Sequence, residues 1–458
     1  LGPEDLQTYI AWLDQAGELA RVKCPVDPDM EIAAVQDAAW RDGWCRQALL
    51  FENVRGYQIP VAMNLFGSRK RIEMAIGSGA FTSFPGKLHA DLVASGETDS
   101  TSALRRVLAN EQNLTAHVTG TACFGKDLAN EGLNILPAIK AWPGDGGRYL
   151  TLCQVFTYHP ETYAENCGMY RIQLIDRDRA LLRCHPGSGG AEHLAAWHAR
   201  GEAMPVAIAL GGPPVMTWLA GVPLPGGVSE TAFAGYLTGK PVAMSRCRDQ
   251  YLAVPASAEI VIEGRICPGN ELIEGPFGNH TGRYQPASPA PVINVEKISL
   301  REGAVYPCTL VGPPPRENSW LAELTVRTLL VLLKFDYPWV HDLHMPAEGV
   351  FHRAAMISIA PDCPLELTAI GTALWRSVLL KGSRLLILLD KDDPLSDFGQ
   401  VYWRIVNAVE DRRFCHSDNS RVILDARLPE GTRRVETGED MAKLVQARWA
   451  EYGLPGVL

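Results

Sequence analysis

The sequence predicts a multidomain chain of mixed α+β and α/β type. Three observations carry this. The chain has 458 residues, and single cores stop growing near roughly 250–300 residues, so two or three domains are favoured over one. Its texture changes twice, near residue 115 and again after Pro313–Pro315. And Leu385–Leu389 is continuously apolar, as a strand covered on both faces would be. Together they place an α/β domain at 1–115, an antiparallel β domain at 116–310 and a second α/β domain at 311–458.

The first element is an amphipathic helix. Leu6, Ile10 and Leu13 recur at helical spacing, and Gly17 stands where a C-cap is expected. Apolar strands and polar turns alternate irregularly from there to about 115. Between 116 and 310, short runs of Val, Ile, Leu and Thr are separated by turn clusters at His185–Gly190, Gly211–Pro214, Pro223–Val228 and Cys267–Asn270. That spacing reads as a barrel or sandwich, with helices at 191–200 and 229–238. A long helix over about 318–335 opens the last domain, in which Arg384–Asp390 reads as a buried strand.

Composition narrows the class of protein. With 47% hydrophobic and 21% charged residues, disorder, collagen and coiled coil are excluded as descriptions. No apolar run reaches the roughly 18–20 residues of a membrane helix. A net charge of −9 argues against a nucleic-acid partner. Eleven cysteines without a CxxC pair fit a reducing cytoplasm better than a disulfide framework, and the first residues read as a folded helix rather than a signal peptide.

Polar residues set in apolar or Gly-rich surroundings concentrate between 166 and 282. In Asn166-Cys-Gly-Met-Tyr-Arg171 and the following strand, Arg171 and Gln173 share one face by the two-residue period. An Arg there either forks onto a carboxylate or phosphate, or is satisfied by a core acid or by solvent at a strand edge. Glu259 and Glu263 also share a face, which reads as solvated or as support for a site. Glu274-Gly-Pro-Phe-Gly-Asn-His-Thr-Gly282 is a tight loop that lets a ligand approach the backbone, with an acid at its mouth suited to proton transfer. Asn166, His185 and Glu230 offer O, N and O donors that suit Mn²⁺ or Mg²⁺ better than Zn²⁺, although separations of 19 and 45 residues match no local metal motif. His193 and His198 read as core or surface residues of a helix. The stretch Gly187–Gly190 is neither a Walker loop nor a dinucleotide fingerprint, and no GxSxG elbow is present.

Taken together, these segments resemble the UbiD family of decarboxylases, which use prenylated FMN. The resemblance runs over nearly the whole chain. It is carried by Asn166…Arg171 with "IQLID", by "SETAFAGYLTGKPV" (Ser229–Val242), "VPASAEIVIEG" (254–264), "EGPFGNHTG" (274–282) and "MPAEG" (345–349). It implies an N-terminal α/β domain, a central split β-barrel that binds the flavin, and a C-terminal α/β domain that supports a homodimer or higher homo-oligomer. It also implies that Asn166 and Glu230 tie a divalent ion, Mn²⁺ (or Mg²⁺) with K⁺ nearby, to the flavin phosphate. The third ligand is a His in "RCHPGSGGAEH" (183–193): His185 first, His193 second. Arg384 matches a basic residue that reaches the phosphate, the backbone at Val222–Pro223 lies against the flavin ring, and Met169 and Tyr170 count with Arg171 among the cofactor-binding residues that the resemblance implies. A flavin prenyltransferase would supply the cofactor.

Arg171 and Glu274 match two of the family's three catalytic residues, as carboxylate clamp and proton donor. The third position departs: relatives carry a second acid five residues after the first, and this chain has Asn279. An amide donates no acidic proton, and losing a positioned general acid costs about 10²–10⁴ in rate. The resemblance therefore implies a reversible, non-oxidative decarboxylase of an aromatic, heteroaromatic or α,β-unsaturated carboxylic acid. Two other readings compete, a catalytically silent flavin-binding subunit and an FMN-dependent oxidoreductase on a split barrel.

Overall fold

In the computed structural model, residues 2–43, 45–111, 114–119, 122–127, 131–248, 250–408, 414–417, 420–429, 431–432, 435 and 437–453 are described. The first helix spans Leu6–Gln15; Asp5 caps it by accepting the Thr8 amide, and Gly17 follows with φ of 69°. Its apolar stripe of Leu6, Tyr9, Ile10 and Leu13 packs into one core with the long helix Glu317–Asp336 and the C-terminal strand Leu385–Leu389.

The three largest of the five sheets among the described residues organise the chain. The first joins Leu19–Val22, Ala48–Phe51 and Val61–Met63 to a strand from much later, Tyr306–Cys308, which runs parallel to Val61–Met63. The central sheet is antiparallel throughout. It runs Tyr149–Leu150, Arg171–Leu174, Arg179–Arg183, Ser288–Leu300, Ala258–Glu274, Met204–Gly211, Cys153–Tyr158, Glu165–Gly168, with Lys126–Asp127 beside Ser288–Leu300. Its two ends do not pair with each other, so among the described residues this sheet is open and forms no closed barrel. The last sheet, Val340–His344, Ala354–Ile359, Leu385–Leu389, Arg421–Asp425 and Phe414–Ser417, has parallel inner pairs and antiparallel edges.

One turn expected from sequence is a strand instead. Cys267–Asn270 lies inside Ala258–Glu274, where the register against Ser288–Leu300 slips between Ile266 and Glu271. The bulge absorbs Pro268 and Gly269, so the strand continues to Glu274 without leaving the sheet. No helix among the described residues is long and apolar enough to cross a membrane.

Candidate active site

The site begins where two strands meet. Ile172 points into the core with Tyr170, and alternation turns Arg171 and Gln173 to the opposite face. The long strand delivers Glu274, its last residue, to the same place. Arg171 Nε donates to Glu274 Oε1 at 2.8 Å and Nη2 to Oε2 at 2.9 Å, a two-point fork. Nη1 donates to Gln285 Oε1 at 2.9 Å, and the guanidinium lies 4.5 Å from the Phe277 ring centroid. The side chain of Glu274 is 0% exposed and that of Arg171 13%. A carboxylate so buried is tolerated because its partner is fixed beside it. Burial, and then the Glu274 charge, push the phenol of neighbouring Tyr149 upward.

The loop after Glu274 forms a small hairpin, Phe277–Gly278 against Tyr284–Gln285. Asn279 sits at its tip. Its side-chain oxygen accepts the Thr281 amide at 2.9 Å and the Thr281 hydroxyl at 2.7 Å, so this side chain holds the turn.

Arg171 and Asn279 line a cavity of about 260 Å³ together with Met169, Tyr170, His185 and Phe277. It shares His185, Asn279, His280 and Arg353 with a neighbouring space of about 740 Å³. The far wall is the loop around Val350–Arg353, beyond the "MPAEG" segment, so the cleft lies between the central sheet and the C-terminal region. His280, His352 and Arg353 also line it, and sequence reasoning gave His352 and Arg353 no role. Burial is the first cause that holds His280 and His352 at about 4; His352 lowers His280 further, and Arg353 and His185 lower His352.

Glu230 is joined to the residue after Asn166, and neither Asn166 nor Glu230 lines the cavity. Glu230 begins the helix Glu230–Thr238, capped by Ser229, and its Oε2 accepts the Cys167 amide at 3.2 Å. Burial pushes its carboxyl up to about 7, with the Glu165 charge adding to that. Asn166 Nδ2 is buried without a partner. The loop that bears His185 covers it: a Cβ on Gly189 would lie 2.1 Å from Asn166 Oδ1. His185 itself faces the cleft, and burial with Arg171 and Arg183 nearby holds its ring below the usual range, in the neutral form that ligates metals. His193 is instead a buried residue bonded at 2.9 Å to Thr157, whose strand position is opposite Asn166. Among the described residues no three His, Cys, Asp or Glu side chains form a metal-binding group. An O, N, O set of Asn166, His185 and Glu230 uses only two such side chains. Asn166 Oδ1, the neutral His185 ring and the buried Glu230 carboxylate are donors of the kind a hard divalent ion takes.

Other sequence candidates are dispersed. Met169 lines the cavity, and its amide donates to Ala220 O at 2.6 Å, which brings the segment leading to Val222 and Pro223 alongside. Arg384 is exposed just before the strand Leu385–Leu389 and is absent from the lining of either cavity; its amide donates to Arg353 O at 2.7 Å. Glu259 and Glu263 do not form a solvated face, since both are buried. Glu259 accepts from Gln7, Arg301 and the Val305 amide, and Glu263 accepts the Arg248 amide. They tie the first helix and the Arg248 loop to the central sheet, because a buried carboxylate is stable only with such donors.

Fold and site together define an enzyme that handles a carboxylate in a cleft between a β core and an α/β region. Residues 10–85, 118–314 and 319–433 match, in order, the N-terminal, Rift-related and C-terminal domains of the 3-octaprenyl-4-hydroxybenzoate carboxy-lyase family, UbiD. The chain belongs to that family of carboxy-lyases and has its three-domain architecture. Similar proteins include an uncharacterised protein of Aquifex aeolicus, 36% identical over 457 residues, 98% of this chain and 93% of that one. An uncharacterised protein of Archaeoglobus fulgidus is 35% identical over 413 residues, 90% of this chain and 85% of that one. Among solved structures, the UbiD-class enzyme HmfF of Pelotomaculum thermopropionicum, in complex with prFMN, matches with a TM-score of 0.79 and 26% identity over 98% of this chain and 100% of its own. The vanillic acid decarboxylase of Sedimentibacter hydroxybenzoicus in closed form matches with a TM-score of 0.84 and 23% identity over 99% of each chain, a likeness of fold alone.

Proposed function

We propose that the chain is a prenylated-FMN-dependent, reversible decarboxylase of an aromatic, heteroaromatic or α,β-unsaturated carboxylic acid. The observation that carries this is Arg171 in the wall of the cleft, with the fully buried Glu274 forked onto it from behind. Decarboxylation leaves a carbanion, and the chemistry a bound flavin of this kind supplies is an electron sink that no side chain provides. Arg171 keeps N–H groups beyond those used by Glu274 and Gln285 and holds the substrate carboxylate with them. Glu274, once protonated from solvent, delivers that proton to the carbon that bore the carboxylate, and in the reverse direction removes it. Asn279, facing the same cavity, hydrogen-bonds substrate or water.

Asn166, His185 and Glu230 would hold a divalent ion, Mn²⁺ or Mg²⁺ with K⁺, that would offset the charge of the flavin phosphate, otherwise costly to bury. Met169, Tyr170, Val222 and Pro223 would border the ring, and Arg384 would reach the phosphate. The flavin region is 116–310, a split barrel between 1–115 and 311–458. The protein works as a homodimer or larger homo-oligomer in the cytoplasm and takes its cofactor from a flavin prenyltransferase. The test is expression with and without that prenyltransferase, followed by flavin mass and CO₂ release from a panel of aryl and acrylic acids. Prenylated flavin with CO₂ release is expected. Ordinary FMN with NAD(P)H oxidation, or bound flavin with no turnover, would overturn the proposal.

A further inference from the structure

The loop that follows Glu274 is gripped by a segment with no role in the chemistry described so far. Asp145, 5% exposed, accepts the Gly278 amide at 2.7 Å through Oδ1 and the Trp142 amide at 2.9 Å through Oδ2. Gln173, two residues along the strand from Arg171, accepts the Gly275 amide at 2.8 Å and donates to Gly146 O at 3.1 Å. Gly146 N donates to Pro276 O at 2.7 Å, and the Tyr149 hydroxyl donates to the same oxygen at 3.2 Å. Residues 275, 276 and 278 are therefore each held by a separate bond. The packing leaves no slack: a Cβ on Gly146 would lie 2.1 Å from Gly275 O, and one on Gly278 would lie 2.4 Å from the Trp142 ring.

A loop with two glycines does not fix its own path. Glu274 meets Arg171 in two-point register only if the chain leaves Glu274 in one direction. Gln173 shares a strand with Arg171, so it sets the loop's height relative to the guanidinium. Asp145 anchors the other end with a charged acceptor, stronger than a neutral one. We infer that Asp145 and Gln173 are positioning residues for decarboxylation, acting through the backbone of Gly275–Gly278 to hold Glu274 on Arg171. The inference rests on the reading of Glu274 as the proton-transferring acid.

Asp145→Asn puts an NH₂ against one of the two amides that the carboxylate now accepts, and Gln173→Leu removes the acceptor for Gly275. In enzyme loaded with prenylated flavin, each should lower kcat by about 10–100-fold, the effect of misplacing a catalytic group by about 1 Å. KM and flavin content should stay within about twofold of the parent. Backbone amide exchange across 275–278 should quicken, a readout that needs neither substrate nor cofactor. Arg404→Ala, which breaks an ion pair with Asp393 in the C-terminal region, serves as a control for stability loss alone and should keep kcat. Unchanged kcat in both variants, unchanged exchange, or the same loss of kcat in the control overturns the inference. Absence of CO₂ release from loaded wild type would overturn the proposed function instead, and the exchange data would still decide whether the grip exists.

Discussion

Arg171 and Glu274, 103 residues apart in the chain, are joined by two parallel hydrogen bonds of 2.8 and 2.9 Å, with the acid fully buried. Neither side chain is stable there alone. A lone buried carboxylate would take up a proton or draw in water, and the strand face of Arg171 would lose its anchor. The pair couples the stability of the central sheet to the chemistry in its cleft.

Arg171→Ala should therefore act twice. Turnover should vanish while flavin remains bound, and unfolding by urea should show a loss of about 3–5 kcal/mol from the stranded Glu274. Glu274→Gln keeps volume and one acceptor, so a smaller stability loss should accompany a fall of about 10²–10⁴ in rate. Full activity in Arg171→Ala would remove its role as carboxylate clamp.

Asn279→Asp should be tolerated. The two bonds that Asn279 accepts from Thr281 need only an oxygen, which a carboxylate supplies. Decarboxylation or H/D exchange of product should stay level or rise, as measured in loaded enzyme. A large loss would show that the amide nitrogen is required.

The two candidate histidines separate by cation retention. His185→Ala should weaken Mn²⁺ binding by at least on the order of 10-fold, as even outer-shell losses do at metal sites. His193→Ala should mainly lower the unfolding temperature, because it strips Thr157 of a buried partner. Metal content after dialysis, with unfolding followed alongside, decides between them, and the reverse pattern would move the ligand to His193.

Stability should fall on the acid side. Burial first of all, and then His352 and His159 respectively, hold His280 and His193 at about 4, against an ordinary 6.5. Between these values the unfolded chain binds protons that the folded chain does not. Stability is therefore complete above about 6.5, declines toward about 4 and levels off below. His280→Asn should flatten this slope in thermal unfolding of the metal- and flavin-free protein, and an unchanged slope would refute the assignment.

Much of this was legible because the patterns are local. The stripe of Leu6, Ile10 and Leu13 became a helix, and the two-residue period put Arg171 and Gln173 on one face. Cys267–Asn270 misled because Pro268 and Gly269 signal a turn, whereas a partner strand already in register turns them into a bulge. Glu259 and Glu263 alternate like solvent-facing acids, and only the three-dimensional structure shows the donors that bury them. Asp145 had no signal at all. It lies in Pro143-Gly144-Asp145-Gly146, which reads as an ordinary turn, and its partner Gly278 is 133 residues away.

The most direct test is CO₂ release by wild type and Arg171→Ala, each loaded with prenylated FMN and matched for flavin content, against the same panel of unsaturated and aryl acids. Release by wild type and none by the variant is the predicted result. Equal release by both, or none by a fully loaded wild type, would contradict it.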